Sequence, residues 1–136
     1  MTHTPFAPAA GPQPRPTLAC QAAPALDAEK LVVYHVALEL HVACAALVPG
    51  ELRILKDQLE RASLSVVLNL AEGACRHSRR DKRRHYAIAR GSAMETAAAI
   101  DVLRLRRLAA EAGCASARSL ALRVVQMLSK LDRALA

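Results

Sequence analysis

The chain has 136 residues and a formal net charge of +7, and 53% of its residues are hydrophobic but only 2% are aromatic. This length suits one domain with one hydrophobic core and leaves little room for a second. Because Trp is absent and aromatic residues are scarce, Ala, Leu and Val must build the core. Such a composition favours close-packed helices over a sheet protein, which would show alternating β-branched and aromatic residues.

Prolines divide the chain into two regions. Six of the seven fall within the first 24 residues, and the last forms the dipeptide Pro49-Gly50, which is typical of a turn. The sequence therefore predicts a disordered Pro/Ala-rich tail over residues 1–25 and a helical domain over residues 26–136.

Apolar residues spaced three and four apart predict four helices in that domain. Asp27 is the expected N-cap of the first helix. Ser78 and Asp81 have the spacing of a capping box at the start of the third, and Gly113 is expected just after its end. The four predicted helices span residues 27–48, 51–75, 78–112 and 116–134.

Short connections between these helices force neighbours to run antiparallel, so the predicted fold is an all-α, up-down-up-down four-helix bundle. The expected core face of the first helix comprises Leu31, Tyr34, Leu38, Val42 and Ala45. Gly91 lies within the third helix, where glycine costs about 1 kcal/mol relative to alanine. We interpret it as a point of close helix approach, with Ala87 and Ala98 widening a flat strip.

A row of polar residues follows one face of the second helix at spacings of three and four: Gln58, Arg61, Ser65, Asn69 and Glu72. A solvated outer face is the ordinary interpretation. However, Asn69 and Glu72 are flanked by apolar residues, which favours partial burial, and a buried carboxylate needs a partner. Arg90 of the same chain or of another subunit is the candidate.

The densest charge lies between the second and third helices, and its basic members are Arg76, Arg79, Arg80, Lys82, Arg83 and Arg84. Cations at a helix N-terminus oppose the macrodipole unless an anion is bound there. This placement favours a phosphate-binding surface, although Arg-rich composition alone would also produce a basic chain.

No catalytic constellation is visible. The serines lack a G-x-S-x-G context, and no phosphate-cradling glycine loop occurs. The four cysteines, Cys20, Cys44, Cys75 and Cys114, form no C-x-x-C pair, and the pair His41 and Cys44 is too small for a metal site. We therefore expect neither an enzyme nor a bound metal or cofactor. We also expect a cytoplasmic location, since no signal peptide or long apolar stretch is seen.

Three segments carry a family resemblance: Gln58-Leu59-Glu60-Arg61-Ala62-Ser63-Leu64-Ser65, then Asn69-Leu70-Ala71-Glu72-Gly73, and then Ala89-Arg90-Gly91-Ser92 with Glu95. With these segments at this spacing along the sequence, the chain resembles the 23S ribosomal-RNA intervening-sequence proteins over about residues 28–134. The resemblance implies a four-helix bundle that assembles into a ring-like homo-oligomer, a pentamer. It also implies a polar network at or near subunit contacts, formed by Gln58, Arg61, Ser65, Asn69, Glu72, Arg90, Ser92 and Glu95.

The leading functional prediction is a non-enzymatic homo-oligomer that binds nucleic acid, with RNA preferred over DNA, through phosphate contacts at the Arg-rich junction. With few aromatics to stack bases, reading of single-strand sequence is not expected. The alternative is a protein-interaction scaffold. Such a scaffold could bind a reverse transcriptase, because the chain is similar in architecture to the accessory proteins of diversity-generating retroelements, which partner that enzyme.

Overall fold

The computed structural model describes residues 25–136, and it folds them into a short 3₁₀ helix followed by four α-helices. The 3₁₀ helix spans Asp27–Lys30. The α-helices are α1 (Val32–Leu47), α2 (Arg53–Ala74), α3 (Arg79–Leu105) and α4 (Glu111–Leu135). The predicted disordered tail, apart from Ala25, lies outside the described residues.

Each α-helix packs against the helix before it and the helix after it in the chain. The contact between α1 and α4 closes the cycle. Side-chain pairs give the directions: Ser65 of α2 meets Ser92 of α3, and Arg61 meets Glu95 further along, so these helices are antiparallel. The predicted up-down-up-down four-helix bundle is confirmed. Its core is aliphatic, and its largest fully buried side chains include Leu40, Leu59, Leu70, Ile100, Leu103 and Leu128.

The start of the first helix differs from the prediction. Leu31 is extended and separates the 3₁₀ helix from α1, and the Asp27 carboxylate accepts a bond from Lys30 Nζ at 3.1 Å instead of capping α1. The expected core face is also partly wrong, since Val42 is 68% exposed while Val33, Val36 and Leu40 are buried. Because α1 is apolar on almost every side, hydrophobic periodicity could not fix its orientation.

The boundary between the third and fourth helices was predicted seven residues too late. Helix α3 ends at Leu105, and Arg107 adopts a left-handed conformation with φ of 55°. The N–H of Leu108 then bonds to the carbonyl of Leu103, as in a Schellman motif, and Leu108 packs against the core. An arginine in this conformation costs roughly 1–2 kcal/mol, so sequence reasoning favoured Gly113, which in fact lies within α4.

Gly73 and Gly91 occupy contrasting environments. A Cβ atom on Gly73 would lie 2.7 Å from Cε1 of Tyr86, so glycine is required for α2 and α3 to approach at this point. A Cβ on Gly91 would have no heavy atom within 4 Å, and Ala87 and Ala98 are exposed as well. The expected close approach at Gly91 does not occur within the chain. It occurs at Gly73 instead.

Candidate nucleic-acid interface and polar network

A four-residue loop, residues 75–78, joins α2 to α3 and carries the start of the basic cluster. The backbone N–H of Asp81 donates to Ser78 Oγ at 3.0 Å, so Ser78 is the N-cap of α3, as predicted. Arg79, Arg80 and Arg84 follow on the first turns of the helix, and all three are exposed. The loop and cap thus place three guanidinium groups around a helix N-terminus whose backbone N–H groups also favour anions.

The other three predicted basic residues, Arg76, Lys82 and Arg83, have partners within the chain. Arg76 pairs with Glu72, and Lys82 Nζ donates to the carbonyl oxygen of Ala74 at 2.7 Å, which satisfies the C-terminal end of α2. Arg83 donates to both carboxylate oxygens of Asp132 on α4, at 2.8 and 3.3 Å. The hydrogen bond from Arg83 lowers the pKa of Asp132 below its usual value.

Within residues 25–136, Arg79, Arg80 and Arg84 take part in no ion pair. They are therefore the part of the predicted cluster that remains available to a ligand. Beside them lies a cleft of about 440 Å³, lined in part by Lys30, Arg76 and Lys82. Those three cations already bind Asp27, Glu72 and the Ala74 carbonyl, so the cleft adds little free charge to the surface.

The predicted polar row lies along the seam between α2 and α3. Arg61 donates to Gln58 at 2.7 Å and to Glu95 at 3.0 Å, and Ser65 and Ser92 share a hydrogen bond of 2.8 Å. Asn69 Nδ2 donates to the Ser65 carbonyl at 2.9 Å.

His85 also belongs to this row, although the sequence did not predict it as a member. Its Nδ1 lies 3.4 Å from Asn69 Oδ1, and its Nε2 lies 3.8 Å from the Glu72 carboxylate. The side chain belongs to the row because it lies seven residues before Ser92 on α3, two helical turns away on the same face. That spacing was available in the sequence, but the Arg-rich run around His85 concealed it.

Within the chain, Arg90 is not the partner of Glu72, and pairing of Glu72 with Arg90 of another subunit stays a prediction. The Glu72 side chain is half-exposed and pairs with Arg76, four residues later on the same chain. Arg90 lies on the α4 side of α3, where its charge helps to lower the pKa of Asp132. The apolar neighbours of Glu72 are buried on other faces of α2, so they do not bury Glu72 itself.

A second polar cluster lies between α1 and α2. Ser63 is fully buried and shares a 2.9 Å hydrogen bond with His41 Nδ1, and it also donates to the carbonyl of Glu60. Burial raises the pKa of the neighbouring Cys44 thiol to about 11. A buried serine and a neutral thiol cannot reach a substrate, so this cluster is structural. In the part of the chain that the structure describes, no group of three His, Cys, Asp or Glu side chains could hold a metal ion.

Charge is divided unevenly between the two helical hairpins. Residues 27–74, the first hairpin, hold seven acidic residues against four Lys and Arg, a net charge of −3. Residues 75–136, the second hairpin, hold five acidic residues against fourteen Lys and Arg, a net charge of +9. This asymmetry can be counted in the sequence, but only the hairpin boundaries show that it separates two sides of the molecule.

The fold defines a small all-α four-helix bundle with a polar seam between α2 and α3. A family model described as 23S rRNA-intervening sequence protein matches residues 29–130. The chain belongs to this family, as its sequence resemblance indicated. No match to the curated proteins was found. None of the helices within residues 25–136 is long and apolar enough to cross a membrane.

Proposed function

We propose that this protein is a non-enzymatic homo-oligomer that binds nucleic acid, RNA in preference to DNA, through the phosphate backbone. The observation that carries the binding proposal is the set of three exposed arginines, Arg79, Arg80 and Arg84, at the N-terminus of α3. They belong to the hairpin with a net charge of +9. Their positive field is not offset by an ion pair within residues 25–136, and phosphates supply the charge that the helix terminus favours.

The test is binding to labelled duplex RNA and duplex DNA between about 50 and 200 mM salt. Replacing Arg80 and Arg84 by alanine is expected to lower affinity at low salt, and to reduce the slope of log K against log salt on DNA by about 1.8, or 0.9 for each charge lost. The matched control is Arg53→Glu, which changes the charge by the same amount at an exposed position of the first hairpin, and it should keep the wild-type slope.

Three results would overturn this proposal: no binding by the wild-type protein at low salt, an unchanged slope in the Arg80 and Arg84 variant, or an equal loss in the control. Preference for RNA is tested in the same titrations. Tighter binding to the DNA duplex would leave phosphate recognition intact and reject only the choice of ligand.

Self-association is supported by a different observation, an exposed apolar strip on the outer side of α3. Its members recur at helical spacing and are Ala87, Ile88, Gly91, Met94, Ala98, Val102 and Leu105. Met94 is 57% and Leu105 is 85% exposed. Glu95, a charged side chain within the middle of this strip, is paired with Arg61. Contiguous exposed apolar surface of this kind is typical of protein contacts.

The partner that fits this strip is another copy of the chain. Two molecules with a charge of +7 repel each other, so association is least opposed at a face without free cations. From Ala87 to Leu105 the strip rises about 27 Å, long enough for a helix to lie along it. Gly91 lies at its centre with open space above it, which would allow a close approach. The implied five-membered ring requires a heterologous contact, in which the strip meets a different face of the next subunit.

Light scattering coupled to gel filtration tests this assignment. The wild-type protein is expected to be oligomeric, with five subunits if the ring is correct, and Met94→Glu with Ala98→Glu should dissociate it. Ser119→Glu with Gln126→Glu, at exposed positions of α4, is the control and should leave the assembly intact.

Gly91→Leu separates assembly from folding. Leucine at an exposed helix position should stabilise the monomer by up to about 0.8 kcal/mol, yet its side chain would obstruct a close contact. The expected result is a smaller particle with an unchanged or higher unfolding midpoint. A monomeric wild-type protein, or an oligomer indifferent to both strip variants, would reject the strip as a self-contact. Stoichiometric, nuclease-resistant capture of another protein by a monomer would favour the scaffold alternative instead.

A further inference from the structure

Helix α4 carries a second row of cations that lies apart from the junction. Arg123, Lys130 and Arg133 are exposed, and with Gln126 they follow one another at spacings of three, four and three, which keeps them on one side of the helix. They were absent from the predicted site, because they are separated from one another in the sequence by apolar core positions.

These cations lack acidic partners on α4 because both acidic residues of α4 pair with arginines of α3. Glu111 pairs with Arg104, and Asp132 pairs with Arg83, both from α3. Arg123, Lys130 and Arg133 form no ion pair within residues 25–136. The row therefore keeps its full positive charge although α4 also contains two carboxylates.

One end of the row opens into a cleft of about 350 Å³ between α3 and α4. Its lining includes Arg104, Arg118, Arg123, Ser119 and Gln126. Arg118 donates to both carboxylate oxygens of Asp101, at 2.7 and 3.3 Å, and this bond fixes its position at the cleft. The surface thus offers one free guanidinium group, two paired ones and two neutral polar side chains to an anion.

The spacing between this cleft and the junction matches a double helix. Asp101 marks the level of the cleft on α3, and it lies 22 residues after Arg79, a rise of about 33 Å. One turn of B-form DNA measures about 34–36 Å, so a DNA duplex lying along α3 and α4 presents equivalent phosphates at both places. The other end of the row, at Arg133, adjoins the Arg83–Asp132 ion pair near the junction.

We propose that the α4 row and its cleft form a second phosphate-contact site, so that among DNA ligands the preferred one is a double helix of at least about one turn. This inference rests on the proposed nucleic-acid binding. The second site adds a minimum duplex length to that proposal, which the junction arginines alone would not require. A single strand or a shorter duplex engages one of the two contact sites, and a longer duplex engages both.

The experiment compares a DNA duplex of about 8 bp with one of about 20 bp, roughly two turns, in fluorescence anisotropy titrations with the full chain. Arg123→Gln with Lys130→Gln is the test variant, and Arg53→Glu, at an exposed position of the first hairpin, is the control of equal charge change. On the long duplex the α4 variant should bind about tenfold more weakly at low salt, and the slope of log K against log salt on DNA should fall by about 1.8. On the short duplex it should bind within about twofold of the wild type.

Failure of this inference is distinguishable from failure of the proposed function. Sensitivity to Arg80→Ala with Arg84→Ala but not to the α4 substitutions would reject only the second site. An equal loss on short and long duplexes, or a loss matched by the control, would also reject it. Absence of any binding by the wild-type protein would reject both. Thermal unfolding of each variant shows whether the bundle is intact, and the exposed positions of Arg123 and Lys130 predict that it is.

Discussion

The two helical hairpins of this bundle use their polar residues in different ways. Between α1 and α2 the polar contacts are largely buried, as in the bond between Ser63 and His41, and α1 contains no Lys or Arg. Between α3 and α4 the contacts are ion pairs near the surface, at Arg83–Asp132 and Arg118–Asp101. Three carboxylates of the second hairpin, Asp101, Glu111 and Asp132, are held in such pairs. Arg79, Arg80 and Arg84 take part in no ion pair within residues 25–136.

The largest expected contrast is in thiol reactivity. Burial raises the pKa of Cys44 from 9.0 to about 11, so its thiolate fraction below pH 9 falls about 100-fold before restricted access is counted. In a Cys20→Ser background, iodoacetamide should modify the exposed Cys75 first and leave Cys44 protected. Mass spectrometry of the alkylated chain measures this. Equal rates at the two sites would show that the first hairpin opens readily.

The same shift makes stability depend on pH. Because the folded-state pKa of Cys44 is raised, its contribution is fully present below pH 9 and is lost as the pH rises towards 11. Cys44→Ala should remove this part of the alkaline loss in denaturant unfolding. An identical pH profile for the two proteins would contradict the buried environment of the thiol.

The next effect concerns the seam between the hairpins. Gly73→Ala places a methyl group 2.7 Å from Cε1 of Tyr86 and 2.9 Å from Cβ of His85, and the second atom is too near the backbone to move freely. A loss of about 1–3 kcal/mol in unfolding free energy is expected. Gly91→Ala is the matched control, and because its surroundings are open it should gain up to about 1 kcal/mol. Two changes of the same sign would show that the seam is looser than the structure indicates.

A smaller effect is expected from the buried hydroxyl of the first hairpin. Ser63→Ala removes the bond to His41 and should cost about 1 kcal/mol, nearly independent of salt because the group is buried. Chemical denaturation at low and high salt checks both the size and the salt dependence. A cost that disappears at high salt would mean that His41 acts through its charge.

The smallest effect should come from the ion pair of the second hairpin. Asp132→Asn removes the carboxylate that Arg83 binds, and the difference from wild type should shrink as salt screens the pair. The folded-state pKa of Asp132 is lowered, so its contribution is present above the usual value of 3.8 and is lost as the pH falls through the lowered value. Acid unfolding of both proteins measures this. A difference that persists at the lowest pH would point to packing as its cause.

Much of the candidate site could be predicted because helical spacing is local. The row Gln58, Arg61, Ser65, Asn69 and Glu72 follows one face of α2 wherever that helix lies. Its partners Ser92 and Glu95 came from the family resemblance, and the structure brings them to the same seam. The identity of the Glu72 partner could not be predicted, because Arg76 and Arg90 differ only in where neighbouring helices place them.

The basic cluster could also be predicted only in part. Sequence alone located six cations at the junction of α2 and α3, but it gave no means of separating the three that bind Ala74, Glu72 and Asp132 from the three that remain free. Asp132 lies 49 residues from Arg83, and only the antiparallel packing of α4 on α3 brings them together.

By itself, the sequence determined four helices, an aliphatic core, the Ser78 cap and the family, because each depends on spacing within a short segment or on a matching string of residues. Tertiary structure alone decided which side of the apolar α1 is buried, and that Arg107 rather than Gly113 ends the third helix. It also decided which arginines are free and that the strip around Gly91 is uncovered. These outcomes depend on distances between helices, and the physical reason is that packing can outweigh a local preference of about 1 kcal/mol.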